Sequence, residues 1–163
     1  MLDTIKNKAF YHSTKFSKQE YDVIKKLLKF PGDKAFPSLD IYRMFLIHPG
    51  ATENYKVFET GIENLSALIG YLGDSPQPTQ LMVLRCLANL FKYPASIFVL
   101  TSKRQFVVDH TAVFISSDNK NVRNAVITLF LNFSILFLDK NDPEGRIQIV
   151  SALTELFPTE KDE

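Results

Sequence analysis

The stretch Leu81-Met-Val-Leu-Arg-Cys-Leu-Ala-Asn-Leu-Phe91 decides the fold, because almost every side chain in it is apolar. A helix that is apolar nearly all round belongs in the middle of a protein rather than on its surface. Arg85 and Asn89 interrupt the stretch, and their spacing of four residues places both on one stripe of a helix. Because burying unpaired polar groups is costly, we expect this stripe to line the floor of a groove, where water or a bound chain satisfies it.

The same pattern recurs on both sides of this helix. Upstream, Arg43 lies 42 residues before Arg85. Downstream, Asn132 lies 43 residues after Asn89, in an apolar stretch where the polar residues Asn124, Thr128 and Asn132 step by four. Periods of about 40–47 residues with two or three helices each are typical of armadillo and HEAT solenoids. We therefore predict an all-α, armadillo-like, right-handed helical solenoid of about three to four repeats.

Composition narrows the class of protein. The 163 residues suit one domain, with 45% apolar and 23% charged side chains. A net charge of +1 argues against nucleic-acid or anionic-membrane binding, since both need a basic excess. The single cysteine, Cys86, excludes an intrachain disulfide and suits a buried position in a reducing compartment. The start of the chain does not resemble a signal peptide, and residues 125–138 are too short and interrupted to span a bilayer. We expect a soluble, monomeric intracellular chain.

Start signals for helices divide the chain. Residues 1–14 are predicted as a flexible lead-in, residues 15–157 as the helical domain and residues 158–163 as a polar tail. The signals are a capping box at Ser17–Glu20, a cap at Thr79, a second capping box at Ser102–Gln105, a cap at Asp118 or Asn119, and Asp142-Pro143. No segment alternates with period two, so no strand is predicted.

No pattern supports catalysis or a cofactor. Asp109 and His110 could suggest an acid–base pair, but neighbours on a helix point about 100° apart, and no nucleophile is placed to complete a triad. The segment 139–145 partly resembles a calcium loop, yet Pro143 stands where an oxygen ligand is needed, which favours a turn and helix cap. The histidines lack metal-type spacing. We expect a chain that is not an enzyme, with no metal and no cofactor.

Two interpretations of the polar stripe remain open. Arg85 could pair with a carboxylate inside the core, and Asn132 could cap a neighbouring helix end. Alternatively, stacked repeats turn equivalent helices toward one concave face, where asparagines hold the backbone of an extended peptide and arginines bind a carboxylate. The candidate groove residues are Arg43, Arg85, Asn89, Asn124, Thr128 and Asn132, with His48 and Lys120 at the groove edge. His48, which precedes Pro49, also fits a helix-end residue that bonds the final carbonyls.

Several blocks of sequence carry a family resemblance. The blocks Phe36–Arg43 with His48-Pro49, Leu84–Phe91, Ser117–Asn121 with Leu131–Ser134, and Glu144-Gly145 look like successive blocks of the PUL domain. That domain closes proteins of the phospholipase A2-activating protein family, called ubiquitin-fusion-degradation adaptors in yeasts. The resemblance covers roughly Tyr21 to Phe157.

The resemblance implies a non-catalytic armadillo-type domain whose basic concave groove binds the C-terminal tail of the AAA ATPase valosin-containing protein. By motif match, Arg43, Arg85, Asn89 and Asn132 inherit the groove positions. In the family a WD-repeat propeller and a ubiquitin-binding domain precede this domain, so ubiquitin-system proteins are expected as indirect partners through those other domains. The implied role is that of an adaptor in ubiquitin-dependent degradation and ubiquitin homeostasis, in the cytoplasm and nucleus.

The sequence departs from the family pattern in two places. It stops at Glu163, where similar domains continue with at least one more helical pair, so the chain is either a fragment or shortened relative, or has lost its final repeat. Thr128 stands where the repeat would allow an arginine. An alternative function is therefore a structural helical scaffold or self-association domain with a different partner. An apolar terminal surface at Leu153, Leu156 and Phe157 would favour it, because solenoid ends need polar caps.

Overall fold

The computed structural model describes residues 2–7, 9 and 14–154. Within them, ten α-helices are joined by short loops and 3-10 turns. The helices are α1 Leu2–Lys6, α2 Lys18–Leu27, α3 Ala35–Leu46, α4 Glu53–Lys56, α5 Phe58–Gly70, α6 Gln77–Asn89, α7 Pro94–Ser102, α8 Arg104–Thr111, α9 Lys120–Asp139 and α10 Pro143–Thr154. No described residue lies in a β-strand, which confirms the all-α prediction.

Three helices form a stack of layers, in which α6 packs between α3 and α9. Side-chain hydrogen bonds between consecutive layers join residues that are 42 to 47 positions apart, close to the spacing of the polar pattern in the sequence. For example, the Asn119 side chain donates to the Gln77 side chain over 3.1 Å, which ties the start of α9 to the start of α6. This regular stacking is the arrangement expected of a helical-repeat protein.

A single apolar core runs through the layers. Its largest fully buried side chains are Tyr42, Phe45, Phe130, Phe133 and Phe137. Gly145 lets α10 approach α9 closely, because a Cβ at this position would lie 2.7–2.9 Å from atoms of the Phe137 ring. The core is therefore closed beneath α10 by a contact that only a glycine allows without displacement of the ring.

Some predicted helix starts are confirmed. Ser17 and Glu20 form the capping box at α2, where the Ser17 hydroxyl accepts from the Glu20 amide and the Glu20 carboxylate accepts from the Ser17 amide. Asn119, rather than Asp118, caps α9 and accepts from the Asn121 amide over 2.9 Å. Asp142 accepts from the Gly145 amide over 2.9 Å at the start of α10.

Two predicted helix starts are wrong. The helix α6 begins at Gln77, and Thr79 lies buried inside it, because proline is tolerated in a first helical turn and the helix includes Pro78 rather than following it. Ser102 ends α7 instead of capping α8, since its hydroxyl donates to the Phe98 carbonyl one turn earlier, over 2.8 Å.

The start of the chain forms a short helix that packs on the core. In the predicted lead-in, the described residues 2–6 form α1, and Ile5 is buried against the core near α3. The predicted tail 158–163, Leu156 and Phe157 lie outside the described residues. Leu153 is half-buried against the core. The large apolar side chains that are exposed on α9 and α10 are Ile127, Leu131, Ile135, Leu138, Ile147 and Val150.

By length and composition alone, α9 is long and apolar enough to cross a membrane. The segment of α6 and α7 passes the same test when the two helices are taken together, but a bend of 119° separates them. In the structure α9 packs against α6 and α10. Seven of its side chains are buried there: Val122, Ala125, Val126, Leu129, Phe130, Phe133 and Phe137. Core packing accounts for the apolar residues on the buried face of α9, whereas Ile127, Leu131, Ile135 and Leu138 lie on its exposed face.

Candidate functional site

A groove of about 340 Å³ lies across the three stacked helices. It is lined by Arg43, Arg85, Ala88, Asn89, Asn121, Asn124, Ala125 and Thr128. One of these residues comes from the last turn of α3, three from the last turns of α6 and four from the first half of α9. The polar stripe of the central helix therefore faces the polar stripes of both neighbouring layers, with two alanines between them.

Arg85 supplies the uncompensated positive charge of the groove. Its side chain is exposed, and among the residues that the structure describes it has no hydrogen-bond or ion-pair partner. The guanidinium therefore keeps all five N–H donors available for a ligand or water. An exposed, unpaired arginine beside neutral amides is suited to bind a carboxylate through two parallel hydrogen bonds.

Arg43, on the α3 side of the groove, has a partner. Its Nη2 lies 2.6 Å and its Nε 2.8 Å from the same oxygen of Asp40, one turn earlier on α3. The two side chains are 30% and 41% exposed, so solvent screens the pair. Asp40 was not among the predicted groove residues, although its position three residues before Arg43 placed it on the same face of the helix.

Asn89 and Asn132 both bind the preceding layer. The Asn89 side-chain nitrogen donates to the Arg43 carbonyl over 2.9 Å, and that of Asn132 donates to the Ala88 carbonyl over 3.4 Å. Each acceptor lies in the last turn of its helix, where a carbonyl has no helical amide four residues later to bond. Asn89 also lines the groove, whereas Asn132 lies in a neighbouring cavity with Phe91 and other side chains. Asn132 therefore has the helix-end geometry that was the alternative to a groove position.

The wall contributed by α9 is neutral and polar. The Thr128 hydroxyl donates to the Asn124 carbonyl over 2.7 Å, within its own helix. The side chains of Asn121 and Asn124 are exposed and have no partner among the described residues. Asn121 was missed in the sequence, although its spacings of three from Asn124 and seven from Thr128 put it on the same helical face. These amides can both donate to and accept from a peptide backbone.

Neither of the two residues predicted at the groove edge lines the groove. His48 is fully buried and does not line the groove. Its Nδ1 accepts from the Gly50 amide over 2.9 Å, its Nε2 lies 3.2 Å from the Thr14 hydroxyl, and its ring packs 4.7 Å from that of Phe16. Lys120 is exposed at the first position of α9, next to Asn121.

The groups that could have indicated catalysis are engaged locally. Asp109 accepts from Gln105, and the His110 Nδ1 lies 2.8 Å from the Phe106 carbonyl, so each side chain contacts its own helix. Burial raises the pKa of the Cys86 thiol, which contacts the Leu39 carbonyl. Among the described residues, no three or more histidine, cysteine or acidic side chains are grouped to hold a metal ion.

The sequence matches the PUL domain family over residues 1–163. It is also similar to the phospholipase A-2-activating protein of Xenopus laevis, with 28% identity over 145 residues. That alignment covers 88% of this chain and 18% of the relative, so the chain spans less than a fifth of the relative's length. The chain belongs to the PUL domain family, which is a family of protein-interaction domains.

Proposed function

We propose that the groove is a receptor for an extended peptide, and that Arg85 binds a carboxylate of that peptide. The observation that carries this proposal is the exposed, unpaired guanidinium of Arg85 in a groove that also presents the side chains of Asn121 and Asn124. An extended peptide brings its own unsatisfied N–H and C=O groups, and neutral amides satisfy both kinds. The groove is open and shared by three helices, so a peptide can lie across the layers.

The peptide proposed is the C-terminal tail of the AAA ATPase valosin-containing protein, with the terminal carboxylate or an acidic side chain at Arg85. Membership of the PUL family and the similarity to a phospholipase A-2-activating protein support this choice. In this proposal the helical stack is armadillo-like and right-handed, and the domain is an adaptor in ubiquitin-dependent degradation and ubiquitin homeostasis, in the cytoplasm and nucleus. Ubiquitin-system proteins are bound indirectly, through other domains of the relatives.

Fluorescence anisotropy of a labelled tail peptide, titrated with the protein at low and moderate salt, tests this function. Saturable binding that weakens with salt is expected. Arg85→Ala is expected to weaken it about 10-fold to 150-fold, since hydrogen bonds to charged groups contribute about 1.5–3 kcal/mol. Thermal unfolding is expected to stay nearly unchanged, because the Arg85 side chain has no partner in the described part of the protein.

Arg146→Ala is the matched control. Arg146 is a half-exposed arginine on α10, and it does not line the groove. Its removal changes the net charge by the same amount and is expected to leave peptide affinity within a factor of about two. Equal weakening by both substitutions would show that only net charge matters. Absence of binding to the well-folded wild-type protein would reject the peptide as the ligand.

A second candidate function is a scaffold that self-associates through α9 and α10. The exposed apolar side chains Ile127, Leu131, Ile135 and Leu138 along α9 favour it. Sedimentation velocity over a wide concentration range distinguishes the two functions. A concentration-dependent dimer that Leu131→Glu dissociates would support the scaffold, and a monomer at all concentrations would contradict it.

A further inference from the structure

The groove contains two arginines but only one uncompensated positive charge. Asp40 accepts two hydrogen bonds from the Arg43 guanidinium, from Nη2 over 2.6 Å and from Nε over 2.8 Å. Arg85, on the facing helix, has no acidic partner among the described residues. The positive charge of Arg43 is therefore neutralised by Asp40, whereas that of Arg85 is fully available to a ligand. The two arginines differ in this way although their spacing in the sequence gives them equivalent positions.

We infer that Asp40 sets the charge selectivity of the groove by holding Arg43, so that the groove accepts one ligand carboxylate, at Arg85. This inference rests on the proposed peptide-binding function and names a specificity-determining residue for it. A second ligand carboxylate near Arg43 would have to displace Asp40 or approach its negative charge. A peptide with one carboxylate therefore fits the groove better than a strongly acidic peptide.

The Asp40–Arg43 pair biases ligand binding without being needed for folding. Both side chains are about one-third exposed, and pairs of this kind contribute little to folding because solvent screens them. The pair also belongs to one helix, with a spacing of three residues, so its geometry does not depend on the ligand. Removal of the Asp40 charge should release Arg43 without disturbing the stack.

The first test measures each arginine directly. In protein labelled with nitrogen-15, the Nε–H signals of Arg43 and Arg85 are followed by NMR during a titration with glutarate, a small dicarboxylate. They are assigned with Arg43→Lys and Arg85→Lys, which lack this group. In the wild type only the Arg85 signal is expected to shift with glutarate. In Asp40→Asn both signals are expected to shift. Equal shifts of both arginines in the wild type, or an unresponsive Arg43 in Asp40→Asn, would overturn the inference.

The second test measures affinity for peptides with one and two carboxylates. Asp40→Asn is expected to tighten binding of the two-carboxylate peptide roughly threefold to fivefold, and that of the one-carboxylate peptide by less than about twofold. The gain should disappear in the double variant Asp40→Asn, Arg43→Ala.

Glu53→Gln is the control for net charge. Glu53 forms the same kind of pair with Lys56 on α4, with a spacing of three residues, and it does not line the groove. A gain with Glu53→Gln as large as with Asp40→Asn would refute a specific role for Asp40. Because glutarate reports on the arginines without the ATPase tail, failure of the tail to bind rejects the proposed partner alone. Binding of the tail with no effect of Asp40→Asn rejects this inference alone.

Discussion

The middle layer α6 and the last layer α9 carry polar residues at matching positions but differ in their chemistry. On α6 the positions are held by Arg85, which is unpaired, and Asn89, which binds the preceding layer. On α9 they are held by Thr128, which bonds its own helix, and Asn132, which again binds the preceding layer. The asparagine in each layer thus bonds to the preceding layer. The residue four positions earlier is an arginine in α6 and a threonine in α9, and this residue determines the charge that each helix brings to the groove.

The two layers also differ in how they are covered. α6 has a neighbouring layer on each side, and none of its large apolar side chains is exposed. α9 packs on α6 and α10 and exposes four large apolar side chains. The large apolar side chains of α6 are therefore all covered by neighbouring helices, whereas those of α9 are covered on only part of the helix surface.

The largest expected effect compares the covered and exposed faces of α9. Phe133 is fully buried, with its ring 4.8 Å from that of Phe91, so Phe133→Ala should lower the free energy of unfolding by about 3–5 kcal/mol. Leu131 is 56% exposed, and Leu131→Ala should change it by less than about 0.5 kcal/mol. Urea unfolding measures both values. A large effect of Leu131→Ala would mean that this face is covered in solution, and a dependence on protein concentration would identify the cover as a second copy.

A smaller effect on stability is expected when the two asparagines that bind the preceding layer, Asn89 and Asn132, are compared. Asn89→Ala removes a 2.9 Å hydrogen bond between layers and should destabilise the protein by about 1 kcal/mol. Asn132→Ala should cost less, because its bond of 3.4 Å is longer and weaker. Asn124→Ala serves as the control in the same urea experiments, since that side chain is exposed and has no partner among the described residues. Equal losses for all three would show that helix-surface asparagines contribute without regard to these bonds.

The smallest expected effect comes from a substitution that makes α9 resemble α6. Thr128→Arg places a guanidinium in the groove at the position that matches Arg85, and should tighten binding of an acidic peptide by about threefold. Ile127→Arg is the control, because Ile127 is exposed on α9 and does not line the groove. Anisotropy titrations at two salt concentrations measure both variants. A similar gain for the control would attribute the effect to overall charge rather than to the groove.

The repeat spacing was sufficient to predict most of the groove. Arg43, Arg85, Asn89, Asn124 and Thr128 line one cavity because the stacking of α3, α6 and α9 brings residues about one period apart to the same face. Their roles in ligand binding remain predictions. Spacing alone could not place Asn132, since its amide reaches the Ala88 carbonyl and its side chain lies beside the groove rather than in it.

Local polar contacts were the hardest feature to predict. Ser17 and Ser102 both begin an apparent capping box, but only Ser17 caps a helix. A serine hydroxyl can accept from the helix that follows or donate to the helix that precedes, and sequence does not decide between them. The Asp40–Arg43 pair presents the same difficulty, because two side chains three residues apart can pair with each other or with a third group.

The bond from Asn89 to the Arg43 carbonyl has a consequence for the kinetics of binding. It joins α3 to α6 before any ligand arrives, so a peptide meets two helices of the groove whose spacing is already set. A preformed site pays a smaller ordering cost on binding, and association should then be a single step whose rate depends on salt through Arg85. Substitutions that lengthen or shorten the lifetime of the complex should act mainly on the dissociation rate. Asn89→Ala, in contrast, should slow association and add a second phase to it.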